Sequence, residues 1–353
     1  MATQQEIADR LKISRSLVAQ ALSGTPGARV SASTRDRILK VADELGYRPN
    51  NAARALRTGK THTVTFFQST SPDSQNPTYY TTAVDGCSKG LGILGYELKV
   101  SLAAMMSDPL QVLSDIGASR SSDLVILWGA EEDVERHGEL LQQIGVPFVV
   151  KGRHEVRHPD WLQIDFDHEG MTRDALSHLA ALGHTRIAYI GYDTDAAFAR
   201  LLLDGYRSSH VELLGKEPDP RLIARVDASR AASEAVTDSW FRLPTDEQPT
   251  AIVIGSSSNS WTGTEVALHK HGLTIGDTPG HIAIAGLASR GYFTLFGSGR
   301  FFPANDLTKL GEEMIDRLAA PAMRGETPPS NIIRLVPDFM ASECLNLPNR
   351  AAS

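Results

Sequence analysis

Residues 6–24 read EIADRLKISRSLVAQALSG and residues 30–59 read VSASTRDRILKVADELGYRPNNAARALRTG. Ile7, Ala8 and Leu11 fall on one face of a short first helix. Ser14 follows a tight turn and is placed to accept a backbone N–H as the N-cap of a second helix. In that helix Leu17, Val18, Ala21 and Leu22 recur at three- and four-residue spacing, which predicts one buried side. Arg15, Ser16, Ala19 and Gln20 are left on the exposed face near its start. A third amphipathic helix is predicted from about Ser33, with Ile38, Leu39, Ala42 and Leu45 toward the core and Gly46 as its stop. Two short helices joined by a tight turn, with polar donors opening the second, make a helix-turn-helix that can enter a major groove.

The charge balance points the same way. Residues 1–60 carry 11 Lys/Arg against 5 Asp/Glu, a formal +6, while the remainder of the 353 residues carries −13. A small basic module on an acidic body is the electrostatic footprint of a nucleic-acid binder. A basic solvated face is the plainer reading of a charge excess, but it does not account for the helix pattern.

The stretch resembles the DNA-binding headpiece of the LacI family of bacterial transcription regulators. The match is carried by Ile7-Ala8, Ile13-Ser14, Val18, Ala21-Leu22, Val30-Ser31, Thr34-Arg35, Tyr47, Pro49-Asn50, Ala53 and Leu56. The resemblance implies major-groove base contacts from Arg15, Ser16 and Gln20, and backbone positioning by Ser14, Ser31, Thr34, Tyr47 and Asn50. It also makes Ala52–Arg57 a hinge helix, with Ala53 on it and Leu56 as a minor-groove wedge. So short a helix is marginal alone in water and needs packing to form. Three departures stand out: Gln4 for an aliphatic residue, Ser23 for Asn, and Lys12 where the family has Gly in the first turn. Lys12 is therefore expected in a left-handed conformation, costing about 1 kcal/mol.

Beyond Lys60 strands and amphipathic segments alternate. Strands are predicted at Thr63–Gln68, Tyr96–Ser101, Leu124–Trp128, Pro147–Lys151, Trp161–Ile164, Arg186–Ile190, Ala251–Ile254 and Ile282–Ala285. Helices are predicted at 77–94, 108–120, 131–144, 169–183, 196–214, 229–241 and 260–272. That alternation argues for parallel sheets covered by helices. With the landmarks Asn76-Pro77, Gly152-Arg153, Asp165, Gly205-Tyr206 and Pro249-Thr250, the resemblance extends over nearly the whole chain. The expected fold is an all-α helix-turn-helix headpiece (1–48), a hinge (49–60) and a two-lobed α/β core like periplasmic binding proteins (61–353). Lobe 1 is expected at about 61–163 plus 291–320, and lobe 2 at about 164–290 plus 321–342.

The implied function is a transcription regulator, in first place a repressor, binding a pseudo-palindromic operator as a homodimer under control of a small-molecule effector. Tyr79, Arg153, Ser257 and Ser258 are the candidate effector contacts, since ligands of open α/β sheets sit at the carboxyl ends of strands. Several polar anchors typical of sugar- and purine-responsive relatives are replaced. Leu202 stands where Arg is usual, with Arg200 two residues away; Ser257-Ser258, Gly286-Leu287-Ala288-Ser289 and Phe302-Pro303-Ala304-Asn305 replace other polar segments. An unpaired buried hydroxyl costs about 1–3 kcal/mol, so an ordinary monosaccharide effector is not expected. Trp128, Trp161 and Trp261 are candidates to stand near the pocket, with core packing the plainer reading of such aromatics and the favoured one for Trp128.

Three strings imitate other chemistry. His154-Glu155-x-x-His158 matches the zinc-peptidase pattern, but that pattern needs a helix, whereas this one follows a strand and runs into Pro159. Gly90-x-Gly92-x-x-Gly95 precedes a strand instead of following one, the reverse of a dinucleotide fingerprint, and reads as a helix end. Asp165-Phe166-Asp167-His168-Glu169 occupies the lobe-crossing segment, where acids at a helix start favour the dipole. No enzyme, cofactor or metal is expected. The rival readings are a solute-binding protein, which lacks a headpiece, and a zinc hydrolase using His154 and His158. The polar start MATQQEIADR shows no signal-peptide core, no apolar run reaches the ~18 residues of a spanning helix, and Cys87 and Cys344 suggest no disulfide framework. A cytoplasmic chain is expected. The tail ECLNLPNRAAS lacks leucine heptads, so no tetramerising coiled coil is expected.

Overall fold

The structure, a computed structural model, describes residues 2–23, 30–47, 59–69, 77–255, 257–276, 280–289 and 302–340. The chain divides into two compact units, Met1–His62 and Thr63–Ser353.

The first unit holds α1 (Gln4–Leu11), α2 (Arg15–Ser23) and α3 (Ala32–Glu44). A reciprocal cap starts α1: Thr3 Oγ1 accepts from the Glu6 N–H at 3.2 Å, and Glu6 Oε2 accepts from the Thr3 N–H at 2.8 Å. Lys12 ends it in the left-handed conformation, φ 55° and ψ 44°, its N–H reaching the Ala8 and Asp9 carbonyls. The left-handed position expected at Lys12 is therefore present. Ile7, Ala8, Val18, Ala21, Ile38 and Ala42 form the buried centre, with Leu11, Leu45 and Tyr47 packed against it. Leu39 departs from expectation, being 45 % exposed. The α3 stripe is Ile38, Val41, Ala42 and Leu45, and Leu39 sits about 100° around the helix from Ile38, off that stripe.

In the second unit strands and helices alternate: β1 (Thr63–Gln68), α4 (Pro77–Ile93), β2 (Glu97–Leu102), α5 (Pro109–Ser119), β3 (Leu124–Trp128), α6 (Glu131–Gln143), β4 (Phe148–Lys151) and β5 (Gln163–Phe166). There follow α7 (His168–Ala181), β6 (Ile187–Tyr192), α8 (Ala197–Leu214), β7 (Ile223–Val226), α9 (Arg230–Trp240), β8 (Ala251–Gly255), α10 (Ser258–Lys270) and β9 (Ala283–Gly286). The C-terminal part adds β10 (Ala288–Ser289), β11 (Phe302–Asn305), α11 (Leu307–Met314), α12 (Ala320–Arg324), β12 (Ile332–Leu335) and β13 (Asp338–Met340). A π-helical turn, Ile315–Ala319, joins α11 to α12.

The first sheet runs β12-β5-β4-β3-β1-β2 and the second β7-β6-β8-β9, with every pairing parallel. Fully apolar strands such as Leu124–Trp128 and Ala251–Gly255 are buried throughout, as helices on both faces demand. Two apolar clusters flank each sheet. The strand order reverses between β1 and β3 in the first sheet and between β6 and β8 in the second. Those reversals are where open α/β sheets leave a crevice for ligands. A third small sheet, β10-β11-β13, pairs Ala288 with Ala304 and Ser289 with Asn305.

Two segments depart from the expected lobe division. Ile332–Leu335, assigned to lobe 2 with the rest of 321–342, pairs with Gln163–Phe166 in the first sheet, and Ile333 and Leu335 bury in its core. Gln163–Phe166, split by a boundary at 163/164, lies wholly in that sheet and about two residues beyond the predicted strand. Buried Gln163 and Asp165 carry the strand across positions that a hydropathy pattern rejects.

Candidate functional site

On α2 the burial alternates as a surface-reading helix requires. Val18 and Ala21 are buried, whereas Arg15, Ser16 and Gln20 are exposed. Ser14 Oγ accepts from the Leu17 N–H at 3.2 Å and caps the helix, so the turn and the exposed N-terminal residues are fixed together. Ser31 caps α3 in the same way, accepting from the Thr34 N–H at 3.2 Å with Thr34 Oγ1 2.8 Å away. Ser14, Ser31 and Thr34 thus stand at helix starts, where N–H groups and the dipole favour anions. Tyr47 is half-buried on the headpiece core. Asn50, Ala53 and Leu56 lie outside the described residues.

In the second unit the carboxyl ends of β3, β4 and β5 gather a buried polar group. Lys151 Nζ is 3.3 Å from Asp165 Oδ1, His168 Nε2 is 3.3 Å from Asp165 Oδ2, and the Phe166 N–H donates to Asp165 at 2.9 Å. Burial alone would raise the Asp165 carboxyl, but Lys151, His168 and the Phe166 N–H outweigh it and hold it far below the usual range. Lys151 also stands 5.9 Å from the Trp128 ring centroid. Trp128, Trp161 and Trp261 are all buried, Trp128 within the first-sheet core against Phe66.

Of the four candidate effector contacts, two are engaged by their own chain. Arg153 Nη1 donates to Glu169 at 3.4 Å and Arg153 Nη2 lies 4.0 Å from Asp167. Ser257 Oγ donates to the Ala228 carbonyl at 2.8 Å. The side chains of Tyr79 and Ser258 lie outside the described residues. Leu202 is buried among Met171, Leu176 and Tyr206. Gly286–Ser289 and Phe302–Asn305 are brought side by side through the β10–β11 ladder.

Residues 3–50 match the family described as bacterial regulatory proteins, lacI family, and residues 176–338 match the periplasmic binding protein-like domain. The transcriptional regulator RafR of Escherichia coli is 30 % identical over 268 residues, covering 75 % of this chain and 76 % of RafR. The chain belongs to the LacI family. The regulator AglR of Rhizobium meliloti (strain 1021) is 28 % identical over 77 % of this chain and 74 % of AglR. The fold agrees with that of the lac repressor bound to ONPG, at TM-score 0.71 and 21 % identity over 96 % of this chain and 98 % of that one. A CelR–cellobiose complex aligns at TM-score 0.66 and 23 % identity, over 97 % and 99 %. As a LacI-family member the protein is a DNA-binding transcriptional regulator with an effector-binding core, and not an enzyme.

The family assignment removes the zinc-hydrolase reading, and the geometry shows how the string is used instead. His154 to His158 forms a turn, not a helix, with the His158 N–H donating to the His154 carbonyl at 2.7 Å. His154 faces Glu135 at 3.5 Å and burial lowers its pKa; His158 stacks on Trp161 at 3.8 Å. Gly90 sits inside α4 against Ile315, and Gly95 adopts φ +73° beyond the helix end. Asp167 N-caps α7, accepting from the Gly170 N–H at 3.1 Å. No helix among the described residues is long and apolar enough to cross a membrane. Sequence reasoning missed Glu131, the first residue of α6, whose carboxylate reaches α8. An alanine at the cap position followed by acids, Ala130-Glu131-Glu132-Asp133, was its only sequence signal.

Proposed function

We propose that this LacI-family regulator is a cytoplasmic repressor that binds a pseudo-palindromic operator as a homodimer. In this reading 1–48 is the headpiece, 49–60 the hinge and 61–353 the regulatory core. Arg15, Ser16 and Gln20 read base edges in the major groove. Ser14, Ser31, Thr34, Tyr47 and Asn50 set the register on the phosphates, and Leu56, one turn after Ala53 on the hinge, opens a minor-groove step. The observation that carries the reading is the exposure of Arg15, Ser16 and Gln20 on one capped helix whose other side, Val18 and Ala21, is buried.

A second copy of the chain fits the edge of the first sheet. Among the described residues β2 pairs on one side only; it exposes Val100 at 44 %, and Ile93 before it and Met105 after it in the chain are 88 % and 84 % exposed. An open strand edge beside apolar side chains favours covering by another subunit. The CelR neighbour is a complex with cellobiose, but here Leu202 is buried and apolar and Arg153 is taken up by Glu169. The effector surface left to Tyr79, Arg153, Ser257 and Ser258 suits an atypical ligand more than a monosaccharide.

Selection of bound sequences from a random DNA pool by the full-length protein tests the function. A palindromic consensus is expected, and an Arg15→Ala, Leu56→Ala double variant should lose it. Recovery of no consensus, or equal recovery by the double variant, contradicts the reading.

A further inference from the structure

Two helices open at the strand reversals described above: α6 follows β3 of the first sheet and α8 follows β6 of the second. Neither has a side-chain cap of its own, since Ala130 and Ala196 occupy the two cap positions. Glu131 joins them. Its Oε2 accepts from the Ala197 N–H at 2.8 Å, and its Oε1 lies 4.0 Å from Arg200 Nη2. Arg200 is held by the Asp195 carbonyl, and the Asp193 and Asp195 side chains are held by Arg225. A carboxylate from lobe 1 thereby supplies the anion that the start of α8 in lobe 2 lacks. It does so at the position between the lobes where open α/β sheets place a ligand.

We propose that Glu131 is a tethered ligand, a built-in clasp that holds lobe 1 against lobe 2 with no small molecule present. The inference rests on reading this crevice as the regulatory cleft, and it specifies the regulation: the lobes close by default. A bridging contact can shift a two-state equilibrium only by its preference for one state, and the Glu131–Ala197 bond exists only when the lobes meet. An effector would act here by displacing Glu131, as a competing anion or by forcing the lobes apart.

The test uses spin-label distance measurements on the full-length, ligand-free protein, with labels at Ser119→Cys in lobe 1 and Ser239→Cys in lobe 2, both exposed sites, in a Cys344→Ser background. With the doubly labelled chain diluted into an excess of unlabelled protein, so that only distances within one protomer are read, the parent is expected to give one narrow distribution. Glu131→Ala should broaden it and shift it away from the parent distance. Glu132→Ala, an equal charge change at an exposed neighbour, should leave it unmoved, and Glu131→Gln, which keeps an acceptor for the Ala197 N–H, should fall between. A Glu131→Ala distribution superimposing on the parent, or an equal effect of Glu132→Ala, overturns the clasp. These distances need no DNA, so failure to select an operator would strike the DNA reading alone.

Discussion

Lys151 Nζ stands 3.3 Å from Asp165 Oδ1 at the carboxyl ends of two neighbouring strands, and Asp165 is among the most deeply buried charges of the core. Removing Lys151 takes away the largest charge opposing the buried Asp165 carboxylate and leaves it with His168 and the Phe166 N–H. Lys151→Met should lower the unfolding free energy of the core by about 3–5 kcal/mol, read from urea transitions. The pair also makes stability depend on pH. Burial pushes Asp165 up, but Lys151 and His168 more than reverse this, and the carboxyl lies far below its ordinary value. The stabilisation is therefore complete above the unfolded-state pKa of about 4 and declines as pH falls from there toward the folded value. Wild-type unfolding midpoints should drop below that pH, and Lys151→Met should show a shallower drop.

Gly86 on α4 and Gly92 six residues later predict opposite outcomes. A Cβ on Gly86 would lie 2.0 Å from the Thr308 carbonyl oxygen of α11, and a Cβ on Gly311 would lie 2.5 Å from the Ala83 carbonyl oxygen. Backbone atoms cannot yield as a flexible side chain does. Gly86→Ala should cost at least about 1–3 kcal/mol. A Cβ on Gly92 meets nothing within 4 Å, so Gly92→Ala should stabilise by about 0.5–1 kcal/mol. Thermal unfolding of the two variants settles whether these glycines serve helix contact or a loop that approaches phosphate; a destabilising Gly92→Ala would reopen the second reading.

The headpiece and most strands were legible because apolar spacing speaks for itself at Val18 and Ala21 and in the unbroken run Leu124–Trp128. Leu39 was misread because hydropathy places it in the core while helical phase does not. β5 and β12 were misplaced for a different reason. Gln163 and Asp165 are buried polar residues whose partners, the His154 N–H and Lys151, are distant in sequence. β12 shows its allegiance only in its register with Gln163–Phe166. In the site, Arg153 and Ser257 were visible as polar groups, but their ties to Glu169 and Ala228 are tertiary. Glu131 left only the faint signal of an uncapped start followed by acids, because an acid in a first helical turn ordinarily serves its own helix.

The left-handed Lys12 offers a gain in stability. A side chain at φ 55° costs about 1 kcal/mol relative to glycine, part of which glycine returns through its greater freedom in the unfolded chain. Lys12→Gly should stabilise the headpiece by about 0.5–1 kcal/mol. In the full-length protein that appears as roughly two- to fivefold slower hydrogen exchange of the buried amides of α1 and α2. Faster exchange would mean that the Lys12 side chain contributes more than its backbone costs.

Arg15 and Arg37 separate sequence reading from charge. Both are exposed on the basic first unit, Arg15 at the start of α2 and Arg37 within α3. A guanidinium that meets a base edge discriminates by about 1–3 kcal/mol, whereas one that meets phosphate weakens all sequences alike and lowers the salt dependence by about one counterion. Arg15→Ala should therefore lose affinity for the selected operator while its affinity for scrambled DNA changes little, relaxing preference at one base position per half-site. Arg37→Ala should shift both affinities by the same factor. Titrations at two salt concentrations with operator and scrambled duplexes measure this. An equal loss on both duplexes for Arg15→Ala would move the base-reading role away from the start of α2 and leave Arg15 as a phosphate contact.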